Sequence, residues 1–244
     1  MIEKNKKTLI IGHAGASKLA PGNTLTSFQK AIDLGADYVE FDVHISKDGE
    51  IVIMHDPNTF STTGHKGLIK SMPLKELKML KIGDGERIPT LQELIEIAKD
   101  KIGLQIEVKA RRMAEKLVSI LKREELIESS IVSSFLHGEL LKIQKIEPKI
   151  KLATLEPIVY PLRDSWEYRK GLIKNIIDHN FYAIHPREDI VNKRLIEYAH
   201  ENNIKVHAWT VNDINKMRSF INLRIDGIIT DDIEAAKNAL NRNN

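Results

Sequence analysis

Short apolar runs rich in β-branched residues alternate with longer stretches of helical periodicity along the chain, a pattern that predicts strand and helix in turn. Strands are expected over residues 8–12, 38–43, 103–108, 130–134, 151–154, 181–185, 205–210 and 227–230. Amphipathic helices are expected over 24–34, 90–99, 112–122, 138–146, 166–180, 192–202, 213–220 and 233–240. Eight successive pairs predict an α/β chain folded as a closed (β/α)8 TIM barrel. Asn23, Pro89-Thr90 and Asp232 stand where helix starts need capping residues. An additional short strand is expected over 51–55, after the turn Lys47-Asp48-Gly49. Beyond it the pattern weakens, and Pro57, Gly64, Gly67, Pro73, Gly83 and Gly85 accumulate. A small loop-rich insertion after the second strand, over about 56–87, is the expectation. No linker or composition break divides residues 1–244, so one domain is expected, with lysine- and asparagine-rich ends as solvated termini.

Composition narrows the function classes. The 37 basic and 34 acidic residues nearly balance at a net charge of +3, which gives no electrostatic reason to expect nucleic acid. Absence of cysteine removes disulfides, thiolate nucleophiles and Cys-ligated zinc together. The first apolar run is too short for a signal-peptide core or a membrane span, so a cytoplasmic protein without stable membrane insertion is expected.

Glu40 and Asp42 interrupt the apolar run Tyr38-Val39-Glu40-Phe41-Asp42-Val43. Residues two apart on a strand share a face, so both carboxylates point the same way. An exposed sheet edge would accommodate them, but the apolar neighbours argue for burial, and two buried like charges call for a cation. His13, His55, Glu107 and Lys109 also fall at the C-terminal ends of expected strands, where a barrel gathers its active-site loops. Glu40, Asp42 and Glu107 offer hard oxygen ligands suited to magnesium or calcium, with manganese a third option. His13 and His55 offer an acid and a base near neutrality, and Lys109 a positive charge for an anionic phosphate. Each histidine alone is as well read as a structural one, and Glu107 with Lys109 as a simple ion pair; their convergence favours a site.

The blocks Gly12-His13-Ala14-Gly15-Ala16, Pro21-Gly22-Asn23-Thr24, Glu40-Phe41-Asp42-Val43, His55-Asp56, Glu107-Val108-Lys109, Trp209-Thr210-Val211-Asn212 and Asp226-Gly227-Ile228-Ile229-Thr230-Asp231 follow one another along nearly the whole chain. Together they resemble the glycerophosphodiester phosphodiesterases. The resemblance implies a TIM barrel that hydrolyses a small-molecule glycerophosphodiester to an alcohol and sn-glycerol 3-phosphate. It implies Glu40, Asp42 and Glu107 as metal ligands, His13 and His55 as the acid/base pair, Lys109 as a phosphate contact and Trp209 as a pocket wall. Three positions depart from the family pattern: Ala14 and Ser61 replace arginines, and Gly22 replaces a glutamate. Lysophospholipase D activity on the same scaffold and a non-catalytic phospho-ligand-binding barrel are the alternatives. For the first, Phe60, Leu68, Ile69, Met72 and Leu74 are expected to pack the insertion against the barrel rather than to open an acyl entrance. Of the other histidines, His44 is expected at the strand end beside the carboxylates and His185 in the pocket.

Overall fold

A computed structural model describes residues 8–83, 85–157 and 164–241; the solvated ends expected outside 8–241 lie beyond these. The barrel strands are β1 (Leu9–Gly12), β2 (Tyr38–Ile45), β6 (Gly103–Val108), β7 (Ser130–Ser134), β8 (Lys151–Glu156), β9 (Ala183–Pro186), β10 (Lys205–Ala208) and β11 (Gly227–Thr230). All pair in parallel, and β1 bonds to both β2 and β11, which closes the sheet. Each strand is followed by one main helix: α1 (Leu25–Asp33), α4 (Leu91–Ala98), α5 (Ala114–Arg123), α6 (His137–Ile146), α7 (Trp166–Asp178), α8 (Lys193–Glu201), α9 (Ile214–Asn222) and α10 (Ile233–Asn241). The expected TIM barrel is the observed one.

Strand alternation sorts the side chains. Val39, Phe41, Val43, Leu104, Ile106, Val108, Val132, Ile184 and Val206 point outward and join the apolar helix faces in the main core. The opposite parity faces the barrel axis, where Tyr38, Ile131, Ala153, Ala183 and Tyr182 form a separate cluster. Two glycines make room there. A Cβ on Gly103 would lie 2.3 Å from the Tyr38 ring, and one on Gly227 would lie 2.8 Å from the His207 ring.

Helix starts follow local chemistry. Thr90 caps α4 and forms a reciprocal capping box with Glu93, and Asp232 accepts the Ala235 N–H at the start of α10. For α1 the cap is Thr24, one residue beyond the expected Asn23. Asn23 instead takes a left-handed φ of 60° and turns its side chain into the barrel mouth.

The insertion has more local structure than the sequence pattern suggests. Strand β3 (Ile51–Ile53) pairs antiparallel with β2, followed by α2 (Phe60–Thr63), a 3-10 turn at Ile69–Ser71, α3 (Leu74–Leu77) and a hairpin of β4 (Lys81–Ile82) and β5 (Glu86–Arg87). Elements this short carry no detectable period. They share a small core of Val52, Met54, Ile69, Met72, Leu77, Ile82 and Ile88, with Leu74 and Leu80 against it. Ile69, Met72 and Leu74 pack as expected, whereas Phe60 and Leu68 remain exposed.

At the opposite end of the barrel, buried Asp226 accepts hydrogen bonds from His200 Nε2 at 2.7 Å and the Val206 N–H at 3.1 Å, with Lys205 Nζ at 3.2 Å. Burial alone would raise its pKa, but the His200 bond, the Val206 N–H and the two cations outweigh it and hold the group down to about 2. A depressed folded value gives stability that is complete above the unfolded value near 4 and is lost as pH falls from about 4 to about 2. Asp226→Asn is expected to lower stability at pH 7 by about 2 kcal/mol and to flatten that acid limb; urea titrations at pH 7 and pH 3 check it.

Candidate active site

Parity on β2 turns Glu40 and Asp42 toward the axis, and the parallel register sets Asp42 opposite Glu107 on β6. All three carboxylates are buried, and one oxygen from each lies within 4.8 Å of the others. Each has a defined anchor. The Ala14 N–H donates to Glu40 Oε2 at 3.0 Å, and the Asn23 amide donates to Asp42 Oδ2 at 2.8 Å while accepting the Asp42 N–H at 3.3 Å. Lys109 Nζ lies 3.2 Å from Asp42 Oδ1 and 3.0 Å from Glu107 Oε1.

Electrostatics show how unbalanced this cluster is without a further cation. Burial and the neighbouring Asp42 charge push the Glu40 carboxyl up to about 8, against a smaller opposing pull from His13. Glu107 is raised by burial and by Asp42 despite Lys109. Burial would lower Lys109, but Asp42 and Glu107 raise it. Three carboxylates against one ammonium leave a charge deficit that a divalent cation fills, and an all-oxygen donor set suits a hard ion. The residues therefore fit a divalent metal.

The two expected acid/base histidines are each held by a carboxylate outside the trio. His13, just beyond β1, is half-buried and bonds through Nδ1 to Asp231 Oδ1 at 2.7 Å. Asp231 is itself fixed by the Ser17 hydroxyl at 2.7 Å and the Asn212 amide at 2.6 Å, and the Asn212 carbonyl accepts from the Thr230 hydroxyl and the Asp231 N–H. Burial would lower the His13 pKa, but the Asp231 bond and the charges of Glu40, Asp231 and Asp42 raise it to about 9. His55 is 65% exposed and bonds through Nδ1 to Asp56 at 2.8 Å; Asp56 also accepts from the Ser61 hydroxyl. His44 Nε2 lies 3.2 Å from the His55 carbonyl oxygen, so it steadies that loop beside the carboxylates. The charge of His13 acts on Glu40, and that of His55 on Glu107, so each imidazole is coupled to the trio.

Trp209 lies one residue beyond β10, where its indole N–H donates to the His185 carbonyl at 2.8 Å and its ring meets Phe135 edge-on at 5.7 Å. The two rings thus form an edge-to-face aromatic pair. His185, expected in the pocket, is fully buried inside the barrel and stacks on His207 at 4.9 Å; it sits below the mouth because its parity points it to the axis.

Ala14 and Gly22 prove to be neighbours: a Cβ on Gly22 would lie 3.0 Å from the Ala14 Cβ. The two departures within the strongest motif therefore lie at one packed contact rather than at two separate places. The Lys18 ammonium pairs with Asp232 on the rim of an open pocket of about 460 Å3 also lined by Ser17, Asn212 and Asp231. The third departure, Ser61, supports Asp56.

The residues singled out from sequence at the strand ends converge here, but the groups that hold them were not singled out. Asp231, Asn212 and Ser17 around His13, Asp56 and Ser61 around His55, Asn23 beside Asp42, and Phe135 beside Trp209 are identified by the structure. Asp231 carried a usable signal, a carboxylate directly after the last strand.

Comparison with known proteins agrees with the geometry. A family model described as the glycerophosphoryl diester phosphodiesterase family matches residues 13–235. A protein named glycerophosphodiester phosphodiesterase from Caldanaerobacter subterraneus subsp. tengcongensis is 36% identical over 252 residues, 97% of this chain and 99% of its own length. A structure of an Oleispira antarctica phosphodiesterase, in complex with the product sn-glycerol-3-phosphate, superposes with a TM-score of 0.83 at 28% identity over 96% of each chain. A putative glycerophosphoryl diester phosphodiesterase from Silicibacter pomeroyi superposes with a TM-score of 0.88 over 97% of this chain and 94% of its own, a likeness of fold alone at 21% identity. With the barrel, the buried carboxylates and these matches in hand, the chain belongs to the glycerophosphoryl diester phosphodiesterase family, and is a phosphodiester hydrolase of that class.

Proposed function

We propose that the protein is a metal-dependent phosphodiester hydrolase that cleaves small glycerophosphodiesters to an alcohol and sn-glycerol 3-phosphate. The observation that carries this reading is the buried carboxylate trio together with two imidazoles that are each anchored to a carboxylate. Glu40, Asp42 and Glu107 would hold a divalent ion, with magnesium or calcium the best suited and manganese next. Such an ion supplies Lewis-acid polarisation of the phosphoryl group and a local positive charge.

The remaining work falls to side chains. Lys109, fixed between Asp42 and Glu107, presents a positive charge where negative charge grows on the phosphoryl oxygens. His13 and His55 divide the two proton transfers: one ring takes the proton of the attacking hydroxyl, and the other gives a proton to the departing alkoxide. With Nδ1 bonded to Asp231 or Asp56, each ring has Nε2 to exchange that proton, and the carboxylate stabilises the imidazolium. An attacking water and an attacking glycerol hydroxyl, through a cyclic phosphate, are both compatible with this arrangement.

The test is turnover of glycerophosphodiesters and of lysophospholipids by purified protein with each metal and with chelator. Release of glycerol 3-phosphate that requires metal supports the proposal; no metal-dependent cleavage of any diester removes it. Faster cleavage of lysophospholipids would move the assignment to the lysophospholipase D reading, for which the exposure of Phe60 and Leu68 is the favouring observation. Trp209 and Phe135 are expected to bind the carbon skeleton of the substrate. Trp209→Ala should raise KM about three- to tenfold with a smaller change in kcat, as initial rates over a substrate series would show.

A further inference from the structure

We propose that the insertion forms a foot that seats the barrel mouth on an anionic lipid surface. Six large apolar side chains are strongly exposed among the described residues. Leu19, Phe60, Leu68 and Met79 lie in the loop after β1 or in the insertion, while Ile146 and Ile177 lie at the C-terminal ends of α6 and α7, at the other end of the barrel. The exposed apolar surface is therefore concentrated on the active side of the fold.

Phe60 and Leu68 are the two that lie on neighbouring backbone segments. The insertion has its own core within reach, yet these two side chains stay outside it at 53% and 46% exposure. An antiparallel bridge between Asn58 and Leu68 and a 2.9 Å bond from the Thr59 N–H to the Gly67 carbonyl set their backbone segments side by side. Lys66 Nζ stands 5.7 Å from the centre of the Phe60 ring. Residues 57–75 contain Lys66, Lys70, Lys75 and His65 with no aspartate or glutamate, so this one segment carries a lysine charge equal to the net +3 of the whole chain. All four of those side chains are exposed.

Charge and size together select the occupant. A few exposed apolar side chains fall well short of the roughly 800 Å2 per partner of a stable protein interface, and two copies meeting here would oppose like charges. Exposed apolar side chains with Lys66 against one of them, in a segment whose other charges are also basic, match a bilayer, where the apolar groups enter the acyl boundary and the ammonium groups meet anionic head groups. Pro57 follows the His55-Asp56 pair directly, so docking the foot turns the catalytic end toward the surface. None of these residues holds a role in the diesterase reading, and the foot stands or falls separately from it.

Co-sedimentation of the full chain with vesicles of phosphatidylcholine alone and of phosphatidylcholine with phosphatidylglycerol tests this. Binding is expected on the phosphatidylglycerol vesicles, weakening as salt rises. Phe60→Ser with Leu68→Ser, and separately Lys66→Glu with Lys70→Glu, should each weaken it about tenfold or more, at roughly fivefold per lysine removed. Hydrolysis of a short water-soluble diester should stay within about twofold of the unmodified protein in both variants, which also shows that they fold. No binding to anionic vesicles, equal binding to phosphatidylcholine alone, or binding that survives either double substitution would overturn the proposal. So would a dimer that Phe60→Ser with Leu68→Ser converts to monomer in sedimentation velocity.

Discussion

Asp42→Asn or Glu107→Gln is expected to lower kcat/KM by about 1,000-fold or more, and chelator to do the same to the unmodified protein. The scale follows from removing a charge stabilisation of several kcal/mol at the phosphoryl group, since each 1.36 kcal/mol is tenfold in rate. Stability should move the other way. In the metal-free protein the Glu40 carboxyl is raised to about 8, well above its unfolded value, first by burial and then by Asp42. A carboxyl with a raised folded pKa costs stability increasingly as pH climbs from about 4.5 toward 8, because the unfolded chain ionises first. Glu40→Gln in chelator should therefore raise Tm at pH 8 while abolishing turnover, and divalent metal should raise the Tm of the unmodified protein but not of the variant. Calorimetry at pH 5 and pH 8, with and without metal, measures both. A Tm of Glu40→Gln at or below that of the unmodified protein in chelator would show that the trio is already compensated by other means.

His13→Ala and His55→Ala are each expected to cost about 100-fold or more in kcat, the ordinary size of a general acid or base contribution. Retention of a rate within about threefold would remove either histidine from proton transfer. Asp231→Asn separates positioning from chemistry. It keeps the size of the side chain but removes the charge that, with burial opposing, raises His13 to about 9. Loss of that charge should lower kcat and shift the His13 limb of the pH–rate profile to lower pH. A purely structural role for Asp231 would leave the limb in place. Asp56→Asn should lower kcat less than Asp231→Asn does, because His55 is 65% exposed and water screens the pair.

The paired departures at Ala14 and Gly22 acquire a physical meaning that neither had alone. The two positions pack against each other, since a Cβ on Gly22 would lie 3.0 Å from the Ala14 Cβ, while the Ala14 N–H still reaches Glu40. One anchor of the carboxylate trio is therefore a backbone N–H, which does not depend on the side chain at position 14.

Much of this architecture follows from local pattern. The strands over 103–108, 130–134 and 227–230 agree with β6, β7 and β11 residue for residue, because bounded β-branched runs leave little freedom of register. The expectation at Asn23 shows where local reasoning stops. As a helix-start residue it reads as a cap, but the left-handed backbone there leaves capping to Thr24 and delivers the amide to Asp42, nineteen residues away. His185 shows the same limit from the other side: its strand-end position suggested the pocket, and its parity buries it.

The sequence by itself determined the barrel, the face on which Glu40 and Asp42 lie, and the set of strand ends at which His13, His55, Glu107 and Lys109 would meet. Those are properties of period two and of strand order, both written in local residue choice. Only the tertiary structure decided which groups orient the histidines, that Ala14 touches Gly22, and that Phe60 and Leu68 stay outside the insertion core. Some of these are local in the chain but fixed only by the folded backbone, whereas His13 meets Asp231 across 218 positions because closing the barrel brings the two within hydrogen-bond range.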